Sequence, residues 1–178
     1  MTTPAPRFER PTLFEYGLVG TVLAIGVAVI VWVTGWSAIG ASNDIVLPLF
    51  AMFALTAFVW LLMVITRNAA VLFGAASVRY FRDYNTDLPR DWVERPTRAF
   101  NNLMQAPVLF YIAGLLAAQL QLVDAPLVGL AWAFVIARVV HAVIFMVLNY
   151  VPLRFAFYAV SCIFLGVMWA RIAIEYMT

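Results

Sequence analysis

The stretch APLVGLAWAFVIARVVHAVIFMVL, residues 125–148, decides the fold class of this chain. It runs for 24 residues, and its only ionisable members are Arg138 and His141. At about 1.5 Å per residue a helix of that length reaches roughly 36 Å, enough to cross about 30 Å of hydrocarbon. Asp124 with Pro126 before it, and Asn149 with Pro152 after it, read as tight turns. Four further apolar runs lie outward from it, at 13–36, 45–66, 102–123 and 153–174. A barrel's short alternating strands are absent from the pattern, so helices are the expected spanning form. The expected architecture is therefore an all-α polytopic membrane helical bundle whose short connections make sequential helices antiparallel neighbours.

The composition agrees. Of the 178 residues 65% are hydrophobic and 11% charged, with a mean hydropathy of +0.95, where soluble domains carry about 25% charged residues. A soluble enzyme, a disordered chain and a nucleic-acid binder are excluded, and a net charge of +2 implies no polyanionic partner. The single cysteine, Cys162, lies inside an apolar run and reads as a small buried hydrophobe. The run at 13–36 exceeds the 7–15 apolar residues of a signal peptide, so it is read as a retained membrane helix. All eleven basic residues are arginine, a weak pointer to a bacterial source.

The one long polar connection is 67–101, with Arg67, Arg79, Arg82, Arg90, Arg95 and Arg98 among four acidic residues. Its first part, through Tyr84, is expected to extend the second helix out of the bilayer; residues 85–89 read as a turn, and Pro96 suits the first turn of the next helix. Placing this loop in the cytoplasm puts Arg7, Arg10 and Arg154 on the same side and leaves only Arg171 opposite. The positive-inside rule then gives a cytoplasmic N-terminus and an external C-terminus.

Polar groups at membrane depth are where function is sought in such a chain. Arg98, Asn102 and Gln105 are spaced to share a face of the third span; Arg138 and His141 lie one turn apart on the fourth; Arg154 and Tyr158 share a face of the fifth, with Ser161 a turn deeper. Gln105, His141 and Tyr158 fall roughly 14, 12 and 9 Å from the cytoplasmic ends of their helices. Three helices thus bring polar side chains to one leaflet, where they can line a guanidinium-rich cavity. Singly, each has a blander reading, as interhelical hydrogen-bonding groups or as arginines reaching for head groups. Arg138 is too deep for that and needs a carboxylate, carbonyls, a bound anion or a group from a neighbouring subunit. Several arginines without buried acids favour a ligand with more than one carboxylate or phosphate. No metal-ligand set, Ser-His-Asp arrangement or phosphate-binding glycine loop is present in the sequence.

Glu94-Arg95-x-x-Arg98-Ala99-x-x-Asn102-x-x-Gln105-x-Pro107, Ala137-Arg138-x-x-His141 and Arg154-x-x-x-Tyr158 together resemble the MAPEG family, the membrane-associated proteins of eicosanoid and glutathione metabolism. Val78-Arg79-Tyr80-Phe81-Arg82 and Pro107-Val108-Leu109-Phe110-Tyr111 are similar to an uncharacterised bacterial branch of it. The resemblance covers residues 45–178 and leaves 1–44 as an additional helix and loop. It implies a four-helix MAPEG-like core assembled as a homotrimer in the lipid bilayer of a bacterial inner membrane, with inter-subunit sites open to the cytoplasm. It also implies glutathione as co-substrate and a small lipophilic second substrate. On that pattern Arg98 and Arg138 hold carboxylates, Asn102 the peptide backbone, Gln105 and His141 line the pocket, Arg154 stabilises the thiolate, and Tyr158 donates to the same sulfur. Two positions depart from the family pattern: Gln105 stands where Glu is usual, and Phe145 where Tyr or His is usual. These departures leave a second reading open, a non-catalytic scaffold or accessory subunit of a larger membrane complex.

Overall fold

The computed structural model describes residues 44–74, 76–83 and 91–178, and the elements below are all helical. The expected membrane helix at 13–36 and the turn at 85–89 lie outside the described residues. Helix α1, Val46–Leu72, starts where the Asp44 carboxylate accepts from the Val46 amide at 2.8 Å. It outruns the expected 45–66 but stops at Gly74, whose φ of 66° a side chain would oppose. The expected extension through Tyr84 is thus broken into a separate short helix α2, Val78–Asp83, capped by Ser77 Oγ accepting from the Tyr80 amide at 3.1 Å.

Helices α3, Asp91–Leu103, and α4, Ala106–Gln119, together form one apolar span. The break between them has a sequence cause. Pro107 has no amide hydrogen for the Leu103 carbonyl, and its ring crowds the preceding turn; Gln105 turns to φ −102°, ψ −90° as α4 begins. Pro96, expected in a first turn, sits inside α3, because that helix starts earlier, at Asp91. Helix α4 ends with Gln121 left-handed at φ 58° and Leu122 donating to the Ala117 carbonyl at 2.9 Å, a Schellman closure.

Helix α5, Ala125–Val147, is capped by Asp124 accepting from the Leu127 amide at 2.9 Å, with Pro126 in its first turn. Asn149, left-handed at φ 49°, turns the chain into α6, Val151–Met177, where Pro152 occupies the first turn. Helix α5 is the centre of the bundle: 67% of its most apolar window is enclosed, against 11% for α1. It packs most extensively on α6 and also meets α1 and α3, while α4 packs on α6 and α1. Phe110 of α4 stacks on Phe134 of α5 at 4.5 Å, and Gly114 lets α4 close on Leu49 of α1, where a Cβ would come within 2.7 Å of Cδ2. On the C-terminal side Arg171 ties α6 to the α5 cap through Asp124, at 2.6 Å.

Asp124 therefore serves two elements. Asp124→Ala is expected to lower stability by about 1 kcal/mol from the lost cap alone. Asp124→Asn keeps the capping oxygen and loses only the ion pair, so the thermal midpoint in detergent should fall less.

Candidate functional site

The site is built around Arg138, the largest fully buried side chain among the described residues, with none of its surface exposed. Nη2 donates to both oxygens of Asn102, at 2.7 Å to Oδ1 and 3.0 Å to the backbone carbonyl. The same carbonyl accepts from the Gln105 amide at 3.3 Å, a tightened turn just before the helix break. So the carbonyls that a guanidinium at this depth requires come from α3, and among the described residues no carboxylate bonds to Arg138. Its Nε and Nη1 have no partner among the described residues. The Tyr158 ring lies 5.5 Å from its Cζ, within cation–π range.

His141 is 3% exposed, one turn along α5. Its Nδ1 lies 2.8 Å from the carbonyl of Arg154. A carbonyl only accepts, so Nδ1 carries the proton, and Nε2 is buried without a partner among the described residues. The ring is 5.8 Å from Tyr158 and 6.0 Å from Phe145. The contact fixes the first turn of α6 on α5 and so places Arg154.

The Arg154 side chain is held twice more. Nη1 donates to Asn149 Oδ1 at 2.8 Å, and the guanidinium lies 4.0 Å over the Phe145 ring. Phe145 thus carries the flat face of the arginine. Ser161 Oγ donates to the Tyr158 carbonyl at 2.7 Å within α6.

Five of the seven candidates, Asn102, Arg138, His141, Arg154 and Tyr158, are brought together in this way. The other two are placed differently. Arg98 has a side chain 58% exposed and lies 3.7 Å from Glu94, which also accepts from the Tyr80 hydroxyl at 2.7 Å. Gln105 is exposed, and the break before Pro107 separates it from the α3 face that it was expected to share with Arg98 and Asn102. It lines an open groove of about 540 Å³ between α4 and α6, with Leu109, Tyr158, Cys162, Leu165 and Trp169. Cys162, expected to be buried, is half-buried in the wall of that groove. Its spacing of four from Tyr158 was the signal for a shared face.

Sequence spacing gave no sign of Asn149, which reaches Arg154 only across the turn. Nor did it show that Arg95 donates to the Val147 carbonyl at 2.8 Å and so closes the end of α5.

Among the described residues, four membrane-length helical spans with buried polar groups between them define an integral membrane protein with a helix-lined polar site. The chain belongs to the MAPEG family, whose sequence model matches residues 45–174. That family is of glutathione-related transferase and peroxidase type, and this chain shares its membrane-helical build. No curated protein and no solved structure matches the chain.

Removing one partner of a buried charge is worse than removing both. Asn102→Leu removes the Oδ1 acceptor of the Arg138 guanidinium, leaves it only the backbone carbonyl at this position, and should cost about 1–3 kcal/mol. Arg138→Met, and the double variant, should cost less; thermal unfolding in one detergent compares all three.

Proposed function

We propose that this protein binds glutathione at a cytoplasm-facing site shared by neighbouring subunits of a homotrimer, and conjugates it to lipophilic electrophiles or uses it to reduce lipid hydroperoxides. The single observation that carries this reading is the triply held Arg154, fixed by His141, Asn149 and Phe145 one turn before Tyr158 on a groove wall. When bound, glutathione supplies a thiol that must ionise to attack. Arg154 contributes a positive charge that favours the ionised sulfur, and Tyr158 offers a hydroxyl donor to it. Arg98, exposed on α3, is available to a carboxylate. Arg138 and His141 act from behind: the first sets the Asn102 side chain, the second the start of α6. Gln105 can accept from an ammonium group without neutralising it. Lipophilic substrate would come from the bilayer along the groove lined by Leu109, Leu165 and Trp169.

The arginine distribution supports a cytoplasmic N-terminus, and the family resemblance supports a bacterial inner membrane. The neutral Gln105 favours the second reading, in which the bundle serves as scaffold or accessory subunit in a larger membrane complex.

Thermal unfolding of the detergent-purified protein with millimolar glutathione, and with its sulfonate analogue, separates the two. Ligand at ten times its Kd stabilises by about 1.4 kcal/mol, so the midpoint should rise with concentration, and the rise should shrink in Arg98→Ala and Arg154→Ala. An intact, folded sample that does not respond to either ligand would leave the scaffold reading standing. Conjugation of a model electrophile unchanged in Arg154→Ala would remove the role given to that arginine.

A further inference from the structure

Helix α1 is longer than the hydrocarbon it crosses. Its 27 residues span about 40 Å at 1.5 Å each, against roughly 30 Å of acyl chains. The uncharged run of this span ends at Thr66, so Arg67 and the turns after it reach the headgroup layer. There the chain reverses at Gly74, and the Ala76 amide donates to the Ala70 carbonyl at 3.0 Å. Helix α2 consequently comes back beside α1: the Arg67 guanidinium lies 4.4 Å from the centre of the Phe81 ring. Towards α3, the buried Tyr80 donates its hydroxyl to Glu94 at 2.7 Å. Tyr80 and Phe81 between them fix which way α2 faces.

With those two turned inward, Arg79 and Arg82, one turn apart, occupy the opposite face of α2, and both are exposed. At the elbow α1 ends on Leu72 and Phe73, 81% and 84% exposed, the highest values among the large hydrophobic residues described. Trp92, also exposed, opens α3 at the same end of the bundle. The acids at the start of α3 are engaged within the protein. Asp91 holds Arg95 at 2.6 Å, and Glu94, besides accepting from Tyr80, lies 3.7 Å from Arg98. Asp83 is the only acid on α2 itself.

We infer that α2, together with the end of α1, is a binding surface for anionic phospholipid headgroups. Two guanidiniums a helical turn apart offer forked donors that match phosphodiester oxygens. Leu72, Phe73 and the Trp92 indole suit the boundary just beneath, where the acyl chains begin. A soluble anion would engage the arginines and leave Leu72 and Phe73 in water. An apolar protein partner would cover those two and strip water from the guanidiniums without replacing it. A phospholipid answers both, and each arginine held near a negatively charged bilayer adds to the attraction. The surface stands apart from the groove between α4 and α6.

Thermal unfolding of the full-length protein in phosphatidylcholine nanodiscs, with phosphatidylglycerol added in steps, tests this surface. Phosphatidylglycerol should raise the midpoint at low ionic strength, and about 0.5 M sodium chloride should shrink the rise. In Arg79→Gln/Arg82→Gln the mole fraction that gives half the rise should increase roughly tenfold. Arg79→Lys/Arg82→Lys keeps both charges and should keep most of the response. Each variant is compared with itself across lipids, so a general loss of stability does not imitate the expected result. If the double Gln variant does not fold, Arg79→Gln alone carries the same comparison with a smaller increase. An equal response in the wild type and the Gln variants would place the effect on other arginines and overturn the inference. So would no rise in the wild type, or an equal rise with millimolar inorganic phosphate in pure phosphatidylcholine, which would mark a site for a free anion.

Discussion

A guanidinium enclosed at membrane depth must be given acceptors by the protein itself, since neither water nor lipid supplies them, and much of the site follows from how Arg138 is answered. Its acceptors are the side chain and the carbonyl of Asn102 on α3. The carbonyl lies in the tightened turn that leads to the helix break at Gln105. The proline that breaks the helix therefore shapes the backbone beside the buried charge. A straight helix through 91–119 would instead engage the Asn102 carbonyl with the amide four residues on.

The same economy runs through the α5–α6 turn. Asn149 adopts the left-handed conformation that reverses the chain and also gives its side-chain oxygen to Arg154. His141 donates from Nδ1 to the Arg154 carbonyl, and Phe145 lies under the guanidinium. Arg95 reaches from α3 to the last carbonyl of α5, that of Val147. The first turns of α6 are thus positioned by contacts from α5 and the turn, and Tyr158 lines the groove. The buried half, Arg138 with Asn102, is a support for that arrangement more than a contact surface.

Much of this was legible in the residues. Uncharged runs of about twenty residues gave the helical membrane class, and the spans beginning at 45, 125 and 153 match α1, α5 and α6 to within a few residues at their starts. Asp124, Pro126, Asn149 and Pro152 marked turns that the structure contains. Asn102, Arg138, His141, Arg154 and Tyr158 lie near one another, while Arg98 is exposed and Gln105 lines the groove beside Tyr158. Those two were placed on one face by assuming a continuous helix, and Pro107 ends that continuity. Pro96, by contrast, stays inside α3. Both are prolines in helical sequence, and local pattern does not say which of them the packing will accommodate.

The sequence by itself determined the membrane class, the spans beginning near 45, 125 and 153 and the identity of the polar residues, because hydrocarbon thickness and backbone hydrogen bonding admit few alternatives for long apolar runs. Its motifs were also enough to point to the family. Tertiary structure alone decided that Nη2 of Arg138 donates to Asn102, that Phe145 and Asn149 hold Arg154, and that Cys162 belongs to a groove wall. These are contacts between helices, or across a turn, and they depend on how each helix is rotated about its own axis. Helical periodicity says which residues share a face; only packing against the neighbours decides where that face points.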